Sequence, residues 1–238
     1  MNYTFRKGLI DGLPIAIGYV SVAFAFGIFA VANGLHVTDA LLISMTNVTS
    51  AGQLAAVPIM ASGGMLTELA MAQFVINLRY ALMSISLSQR LDKTVSLLDR
   101  FIISFVNTDE VFAVATAQRS LVGRHYLYGL ILTPYLGWSA GTVLGALIGD
   151  VLPDIITAAL GIAIYGMFIA VVVPAARAKR SVAVCALIAA ALSCMFYYTP
   201  VLNTIPSGFV IILCAVVAAA VMAIAAPLPV ESEVAARG

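Results

Sequence analysis

The chain alternates long apolar runs with short polar or Pro/Gly-containing breaks, almost from one end to the other. The apolar runs lie near residues 13–32, 40–61, 65–88, 101–118, 127–149, 155–175, 181–199 and 207–226. A helix needs about 20 mainly apolar residues to cross a bilayer, and backbone groups in lipid must be satisfied inside the protein. The pattern predicts an all-α, polytopic integral membrane helical bundle of about eight segments, some of them broken or re-entrant.

Composition excludes a soluble fold. Of the 238 residues, 62% are hydrophobic and 10% are charged, whereas soluble domains carry about 25% charged residues. We therefore expect a single transmembrane domain over residues 1–226, followed by a polar tail at 227–238. The formal net charge of +1 provides no basic surface for nucleic acid, so the expected surroundings are the lipid bilayer and no nucleic acid.

Basic residues in the short connections predict the orientation. They are Arg6, Lys7, Arg119, Arg124, Arg177, Lys179 and Arg180. Because lysine and arginine are enriched in cytoplasmic loops, we expect a cell-membrane protein with both termini in the cytoplasm. The basic connection at 89–100 lies outside if all eight segments cross. It lies inside if 40–61 and 101–118 dip in and return, which leaves six crossing spans.

A weak internal similarity bears on this choice. Residues 12–29 (GLPIAIGYVSVAFAFGIF) resemble residues 132–149 (LTPYLGWSAGTVLGALIG), and an aspartate follows each before the next run. Transporter folds are often built from such repeats, so the chain has possible repeat halves at 1–118 and 119–226. Because 155–175 has the length of a full span, the similarity favours a crossing by 40–61 as well.

The second apolar run is unusually polar at its centre. It contains Ser44, Thr46, Asn47, Thr49, Ser50, Gly52 and Gln53, followed by Pro58. Proline cannot complete a helical hydrogen-bond ladder, so an interrupted helix is predicted, with free backbone groups that can hold the charged ends of a substrate. Asn47, Ser50, Gly52 and Gln53 are therefore candidate substrate-binding residues. Alternatively, these side chains only bind neighbouring helices.

Charged residues mark the third and fourth runs. Asn77 and Arg79 lie well inside the third, so Arg79 needs a partner on another helix, a lipid phosphate or a bound anion, unless it extends to the interface. The fourth run contains Asp109 and Glu110. Adjacent helical positions lie about 100° apart, so at most one carboxylate faces Arg79.

Two neighbouring carboxylates in a low dielectric resist joint ionisation. One of them can therefore hold a proton, unless a short helix hairpin keeps both near water. Asp109 and Glu110, together with Glu68 in the third run, are the proton-coupling candidates. Asn77, Arg79, Asp109 and Glu110 complete the predicted substrate site.

The fifth run carries Gly137, Gly141, Gly145 and Gly149, one every four residues. This spacing places a strip of small residues on one helix face, which is typical of close helix packing. The first two glycines also complete a G-x-S-x-G pattern, but a nucleophile elbow needs a strand before the serine and a histidine base. We predict no catalytic residues and no enzyme.

Cysteine and histidine usage predicts neither a metal nor a cofactor. Cys185, Cys194 and Cys214 lie in apolar runs, and their odd number without nearby histidine argues against a disulfide framework or a zinc site. His36 and His125 lie at predicted membrane boundaries.

At these residues the sequence resembles the AzlC family, the membrane subunits of branched-chain amino acid exporters. The similar segments are GLPIAIGYVSVAFAFG in the first run, AGQ at 51–53, INLRYALMSISL at 76–87, DEVFA at 109–113 and GWSAGTVLGALIG at 137–149. The resemblance implies a transporter that exports branched-chain or other hydrophobic amino acids. It also implies a small membrane partner subunit of the AzlD type.

These observations combine into one hypothesis. A zwitterionic aliphatic amino acid binds with its carboxylate near Arg79 and its ammonium near Asp109 or Glu110, while Gln53 and Asn77 donate or accept neutral hydrogen bonds. Transport is proton-coupled if one acid exchanges its proton during the cycle. The alternatives are a structural membrane subunit whose partner forms the pathway, and a passive channel for a small neutral solute.

Overall fold

The computed structural model describes residues 4–149, 169 and 172–226. Most of the predicted run at 155–175 and the whole tail at 227–238 lie outside the described residues. The helices of the first part are α1 (Phe5–Ala32), α2 (Val37–Asn47), α3 (Ser50–Ala61), α4 (Leu66–Ser88), α5 (Leu97–Phe105), α6 (Asp109–Thr116) and α7 (Arg124–Gly149). Those of the second part are α8 (Arg180–Tyr198) and α9 (Ser207–Ala225), and residues 172–178 are also helical.

The described residues contain no strand, only an isolated bridge between Leu91 and Val122. They confirm the predicted all-α membrane bundle. Within the described residues, five helices are long and apolar enough to cross a bilayer, namely α1, α4, α7, α8 and α9. The chain divides into two compact units, Met1–Gly63 with Ile76–Tyr165 and Gly64–Val75 with Gly166–Gly238.

α1 begins earlier than the predicted start of the first run at residue 13. Thr4 caps its N-terminus by accepting a hydrogen bond from the Lys7 amide. Lys7 forms an ion pair with Asp11 at 2.9 Å, one helical turn on, and Pro14 lies within the helix. The polar residues that precede the first apolar run therefore form the first turns of a 28-residue helix.

In the first unit, α1 and α7 pack closely and run in the same direction. Gly8 and Gly129 face each other near the start of both helices, and Gly145 lies against the Phe24 backbone near the end. The glycines bring the two backbones together because a Cβ atom on any of these three would lie 2.0–2.2 Å from a backbone oxygen of the opposite helix. The parallel pair has an N-terminal end, which carries Arg6 and Arg124, and a C-terminal end.

Two apolar runs are each divided into a pair of short helices. α2 and α3 have 11 and 12 residues, and α5 and α6 have nine and eight. At 1.5 Å per residue, each is about 12–18 Å long, too short to cross a hydrocarbon core of about 30 Å. The run at 40–61 is thus the interrupted helix that the sequence predicted, and the run at 101–118 is the short helix hairpin that was one of its alternatives.

The α2–α3 pair enters and leaves at the C-terminal end of the α1–α7 pair. Ala40 near the start of α2 and Val57 near the end of α3 are both buried in one cluster with Phe26 and Ala146. Between them, Val48 is buried in a different cluster, which contains Tyr19 from the middle of α1. The chain therefore descends to about mid-depth, turns and comes back.

The α5–α6 pair makes the corresponding excursion from the opposite end. Asp99 at its start accepts a hydrogen bond from Tyr128 of α7 at 2.6 Å. After its end, Gln118 donates to Tyr126 of α7 at 2.9 Å. Thr108, between the two helices, lies within hydrogen-bond distance of Tyr19 at mid-depth.

Hydrogen bonds from Tyr128, and next from Ser96, lower the pKa of Asp99 to about 2.

These contacts favour the re-entrant alternative for both broken runs. The connection at 89–100 then lies at the same end as Arg6 and Arg124, because the Arg124 amide donates to Thr94 Oγ1 at 3.2 Å. The break of the second run also differs from expectation. It falls at Val48 and Thr49, whereas Pro58 lies within the last turn of α3.

Cysteine labelling tests this arrangement. In a background without the three native cysteines, Lys93→Cys is expected to react with a membrane-impermeant reagent from the same side as Arg119→Cys, because both lie at the N-terminal end of the α1–α7 pair. Asn33→Cys, just after α1, is expected to react from the other side. Labelling of Lys93→Cys together with Asn33→Cys would mean that the broken runs cross.

Candidate functional site

The turns of the two re-entrant pairs contribute Val48 and Val106 to one hydrophobic cluster. We name these turns the first tip (Asn47–Val48–Thr49) and the second tip (Val106–Asn107–Thr108). At the first tip, Val48 adopts a left-handed conformation with φ 46° and ψ 35°. This conformation is rare for a β-branched residue and is strained. It ends α2, and the extended Thr49 then starts α3. Burial of the Val48 side chain offsets the strain.

The second tip also opens a helix. Thr108 is extended, and its hydroxyl accepts a hydrogen bond from the Val111 amide at 3.4 Å. Asp109 and Glu110 follow in the first turn of α6. Carboxylates are favoured at this position because the helix macrodipole places partial positive charge at the N-terminus.

The middle of α4 contacts both tips. At the first tip, the Thr49 and Tyr80 hydroxyls lie 2.7 Å apart, and Asn77 Nδ2 donates to Asn47 Oδ1 at 3.5 Å. At the second tip, Asn107 Nδ2 donates to Ser84 Oγ at 3.2 Å. The polar groups of three separate chain segments therefore converge at one depth of the first unit.

An ion pair lies at this junction. Arg79 Nη1 and Asp109 Oδ2 are 2.8 Å apart, and each side chain is 49% exposed. Arg79 also donates to the Tyr80 hydroxyl at 2.9 Å, and its guanidinium lies 4.7 Å from the centre of the Tyr80 ring. Asp109 is thus the one acid of the adjacent pair that faces Arg79, and the pair remains accessible to a polar solute.

Glu110 has a different environment. The hydroxyl of Tyr19 on α1 donates to its carboxylate, and the same hydroxyl lies 2.6 Å from Thr108 Oγ1. The Tyr19 ring packs edge-on against Trp138 of α7, with centroids 4.8 Å apart. The two neighbouring acids therefore have distinct partners, a cation for Asp109 and a hydroxyl group for Glu110.

Gln53 lies in another part of the first unit. It is 0% exposed, and its amide oxygen accepts a hydrogen bond from Ser44 at 3.1 Å. Ser44 is in turn 2.7 Å from Thr142 of α7. The described side-chain hydrogen bond of Gln53 joins α3 to α2, and Ser44 extends the contact to α7; none of these bonds reaches the Arg79–Asp109 pair. Of the other residues predicted around it, Asn47 lies at the first tip. Ser50 and the buried Gly52 both lie in the first turn of α3.

Glu68 belongs to the second unit. It is 3% exposed, and its carboxylate accepts a hydrogen bond from the Gly208 amide at 2.7 Å, in the first turn of α9. A carboxylate at this position satisfies a free amide and interacts favourably with the helix macrodipole. The contact supports a structural role for Glu68.

Substitution of Glu68 tests that role. Glu68→Ala is expected to lower the stability of the purified protein by about 1–3 kcal/mol, because it leaves a buried amide without its acceptor. Glu68→Gln retains an acceptor oxygen and is expected to cost less. Thermal unfolding in detergent measures both. A Glu68→Ala protein as stable as its parent would contradict this role.

Several residues of the site were not found from the sequence. They are Tyr19, Thr49, Tyr80, Ser84, Asn107 and Thr108. Tyrosines count as apolar in a hydropathy pattern, and isolated hydroxyl groups are common in membrane helices, so neither type gave a signal. Asn107 did give a sequence signal, because it precedes the acidic pair. In the structure its buried Oδ1 has no hydrogen-bond partner among the described residues. No group of three or more His, Cys, Asp or Glu side chains that could hold a metal gathers within the part of the chain described.

A helical membrane protein with interrupted helices that present polar groups at mid-depth belongs to an architectural class common among carriers. A family model described as AzlC protein matches residues 14–152, and the chain belongs to the AzlC family. This is a transporter-associated membrane family and not an enzyme family, which supports a role related to membrane transport.

Similar proteins are also membrane proteins. The chain is 30% identical over 197 residues to the inner membrane protein YgaZ of Escherichia coli (strain K12), covering 80% of each. It is 33% identical over 178 residues to an uncharacterized membrane protein of Archaeoglobus fulgidus, covering 74% of this chain and 78% of the relative. No solved structure matches the chain.

Proposed function

We propose that the protein exports zwitterionic amino acids with aliphatic, preferably branched, side chains across the cell membrane. The observation that carries the proposal is the ion pair of Arg79 and Asp109 at 2.8 Å, between α4 and the tip of a re-entrant helix pair. A zwitterion needs a cation for its carboxylate and an anion for its ammonium. This junction offers both.

A substrate can replace the ion pair without a large penalty. Both side chains are half-exposed, and exposed ion pairs contribute only about 0–1 kcal/mol. The substrate carboxylate would take Arg79, whose guanidinium binds carboxylates through two parallel hydrogen bonds. The ammonium would take Asp109. Each charge thus exchanges one partner for another and remains compensated.

Neutral groups at the two tips suit the same ligand. Asn107 Oδ1 is a buried acceptor without a partner among the described residues, and an ammonium can donate to it. Amides in the first turn of α3, beginning at Ser50, can assist in holding a carboxylate. Val48 and Val106 are buried in one apolar cluster and make the surroundings of the two tips apolar, which suits an aliphatic side chain.

The proposal includes the orientation and the partner. Positive residues cluster at the N-terminal end of the α1–α7 pair and in the connection at 89–100, which supports a cytoplasmic location for this end and for both termini. The parallel course of α1 and α7 is compatible with repeat halves at 1–118 and 119–226, whose rocking would alternate access to the site. Membership in the AzlC family supports a small AzlD-type subunit as the partner.

Counterflow into proteoliposomes tests this function. Vesicles preloaded with unlabelled leucine are expected to take up labelled leucine saturably. Isoleucine and valine should compete, whereas isobutylamine and 3-methylbutyrate, which each lack one charge of the zwitterion, should compete poorly. Flux that does not saturate would indicate a channel. If flux occurs only with the small subunit, and Arg79→Ala does not alter it, this chain has a structural role.

A further inference from the structure

We infer that Glu110, and not Asp109, is the group that binds and releases a proton during transport, and that Tyr19 and Thr108 allow it to do so without rearrangement. This inference rests on the proposed function, because a coupling proton has a role only in a carrier. The observation behind it is the chain of three side-chain oxygens from Glu110 through Tyr19 to Thr108.

The two acids differ in what protonation would cost. Asp109 faces Arg79 at 2.8 Å, so protonation of Asp109 would leave Arg79 without its ion-pair partner. Protonation of Glu110 removes no ion pair, because its described partner is the uncharged Tyr19 hydroxyl. Among the described contacts, Glu110 faces Tyr19 on α1 and follows Asp109 on its own helix. The next charged and titratable groups are Arg79, which pairs with Asp109, and Tyr80, which accepts from Arg79; both are on α4.

Counting hydrogens shows that the oxygen chain accepts both states of Glu110. Tyr19 has two acceptors within reach, the Glu110 carboxylate and Thr108 Oγ1, but its hydroxyl has one hydrogen to donate. When Glu110 is ionised, Tyr19 donates to Glu110 and Thr108 donates to Tyr19. When Glu110 is protonated, it donates to Tyr19 and Tyr19 donates to Thr108. The bond directions reverse while the heavy atoms keep their positions.

Binding of the amino acid and binding of a proton to Glu110 disfavour each other. The ammonium of an amino acid beside Asp109 brings positive charge close to Glu110, the next residue along α6, and so favours the ionised carboxylate. The proton leaves to water on the side from which the substrate bound. On the other side, a proton returns to Glu110 and weakens the hold on the ammonium. One amino acid moves outward as one proton moves inward.

Proton release on substrate binding tests the inference in purified protein. Addition of leucine to the parent is expected to release about one proton per leucine bound, recorded with a pH indicator dye. Glu110→Gln fixes the neutral state that holds the ammonium weakly, so it should bind leucine about tenfold more weakly than the parent, a difference of about 1.4 kcal/mol, and release no proton. Asp109→Asn should bind at least about tenfold more weakly, a loss of about 1.4 kcal/mol.

The outcomes separate the two proposals. Parent protein that binds and transports leucine without proton release overturns the coupling, and so does release from Glu110→Gln equal to the parent. Parent protein that neither binds nor transports any amino acid overturns the proposed function itself.

An infrared measurement decides the case in which Glu110→Gln fails to fold or bind. The acid-minus-alkaline difference spectrum of the parent should contain a protonated carboxylic-acid band that shifts in Tyr19→Phe, because the hydroxyl partner is lost. This variant keeps the ring that packs on Trp138. A spectrum that Tyr19→Phe leaves unchanged overturns the inference.

Discussion

Arg79→Ala is expected to reduce leucine counterflow about 30-fold to 150-fold, because loss of a charged hydrogen-bond partner costs about 2–3 kcal/mol. The variant removes the cation that takes the substrate carboxylate in the proposal, and it also leaves Asp109 without its ion-pair partner. Initial rates over a range of leucine concentrations measure the loss.

Two further variants make the result specific. Arg79→Lys keeps the charge but loses the planar fork that binds a carboxylate twice, so an intermediate loss of about tenfold is expected, equivalent to about 1.4 kcal/mol. Arg119→Ala removes an exposed arginine beyond α6 and should transport like the parent. Counterflow by Arg79→Ala equal to that of Arg119→Ala would place the substrate elsewhere.

The same series separates a binding role from a mechanical one. If the ion pair only ties α4 to α6, Arg79→Ala and Asp109→Asn should have equal effects on every ligand. If the substrate takes over the pair, the two variants should differ for ligands that carry one charge. Arg79→Ala should retain weak inhibition by isobutylamine, and Asp109→Asn should retain weak inhibition by 3-methylbutyrate.

The sequence was sufficient to predict which segments are apolar and that the run at 40–61 is interrupted. It could not decide whether a broken segment crosses, because a run of about 20 apolar residues satisfies a straight helix and a hairpin of two short helices equally well. The decision depends on tertiary contacts, such as those of Ala40 and Val57 in one cluster. The internal similarity of 12–29 to 132–149 favoured a crossing by 40–61, because 155–175 after the second copy has the length of a full span. The contacts of 40–61 do not support that crossing.

The position of the first break illustrates the same limit. Pro58 is the residue that local chemistry identifies as a breaker, yet α3 accommodates it within its last turn. The break occurs at Val48, whose side chain normally disfavours a left-handed backbone. Only burial of that side chain beside Tyr19 explains why the chain turns there. By contrast, Arg79 was predicted to need a partner because a charge at depth is costly in any fold.

The close approach of α1 and α7 leads to the second large effect. A Cβ atom at Gly145 would lie 2.0 Å from the backbone oxygen of Phe24, so Gly145→Leu is expected to prevent the two helices from packing and to abolish recovery of folded protein. Gly145→Ala must also displace backbone and is expected to cost about 1–3 kcal/mol. Unfolding temperature and monodispersity in detergent measure both variants.

Glycines of the same two helices provide the control for this prediction. A Cβ atom at Gly149 would lie 3.3 Å from Ile28, and one at Gly18 would meet nothing within 4 Å. If steric contact is the cause, the destabilisation caused by alanine should fall from Gly145 to Gly149 and vanish at Gly18, where alanine favours the helix by about 0.5–1 kcal/mol. Equal losses at Gly145 and Gly18 would instead indicate that α1 and α7 do not touch. Tyr19 on α1 contacts Glu110 of α6 and Trp138 of α7. Gly145→Ala, which weakens the α1–α7 packing but still folds, should therefore release less than the parent's about one proton per leucine bound.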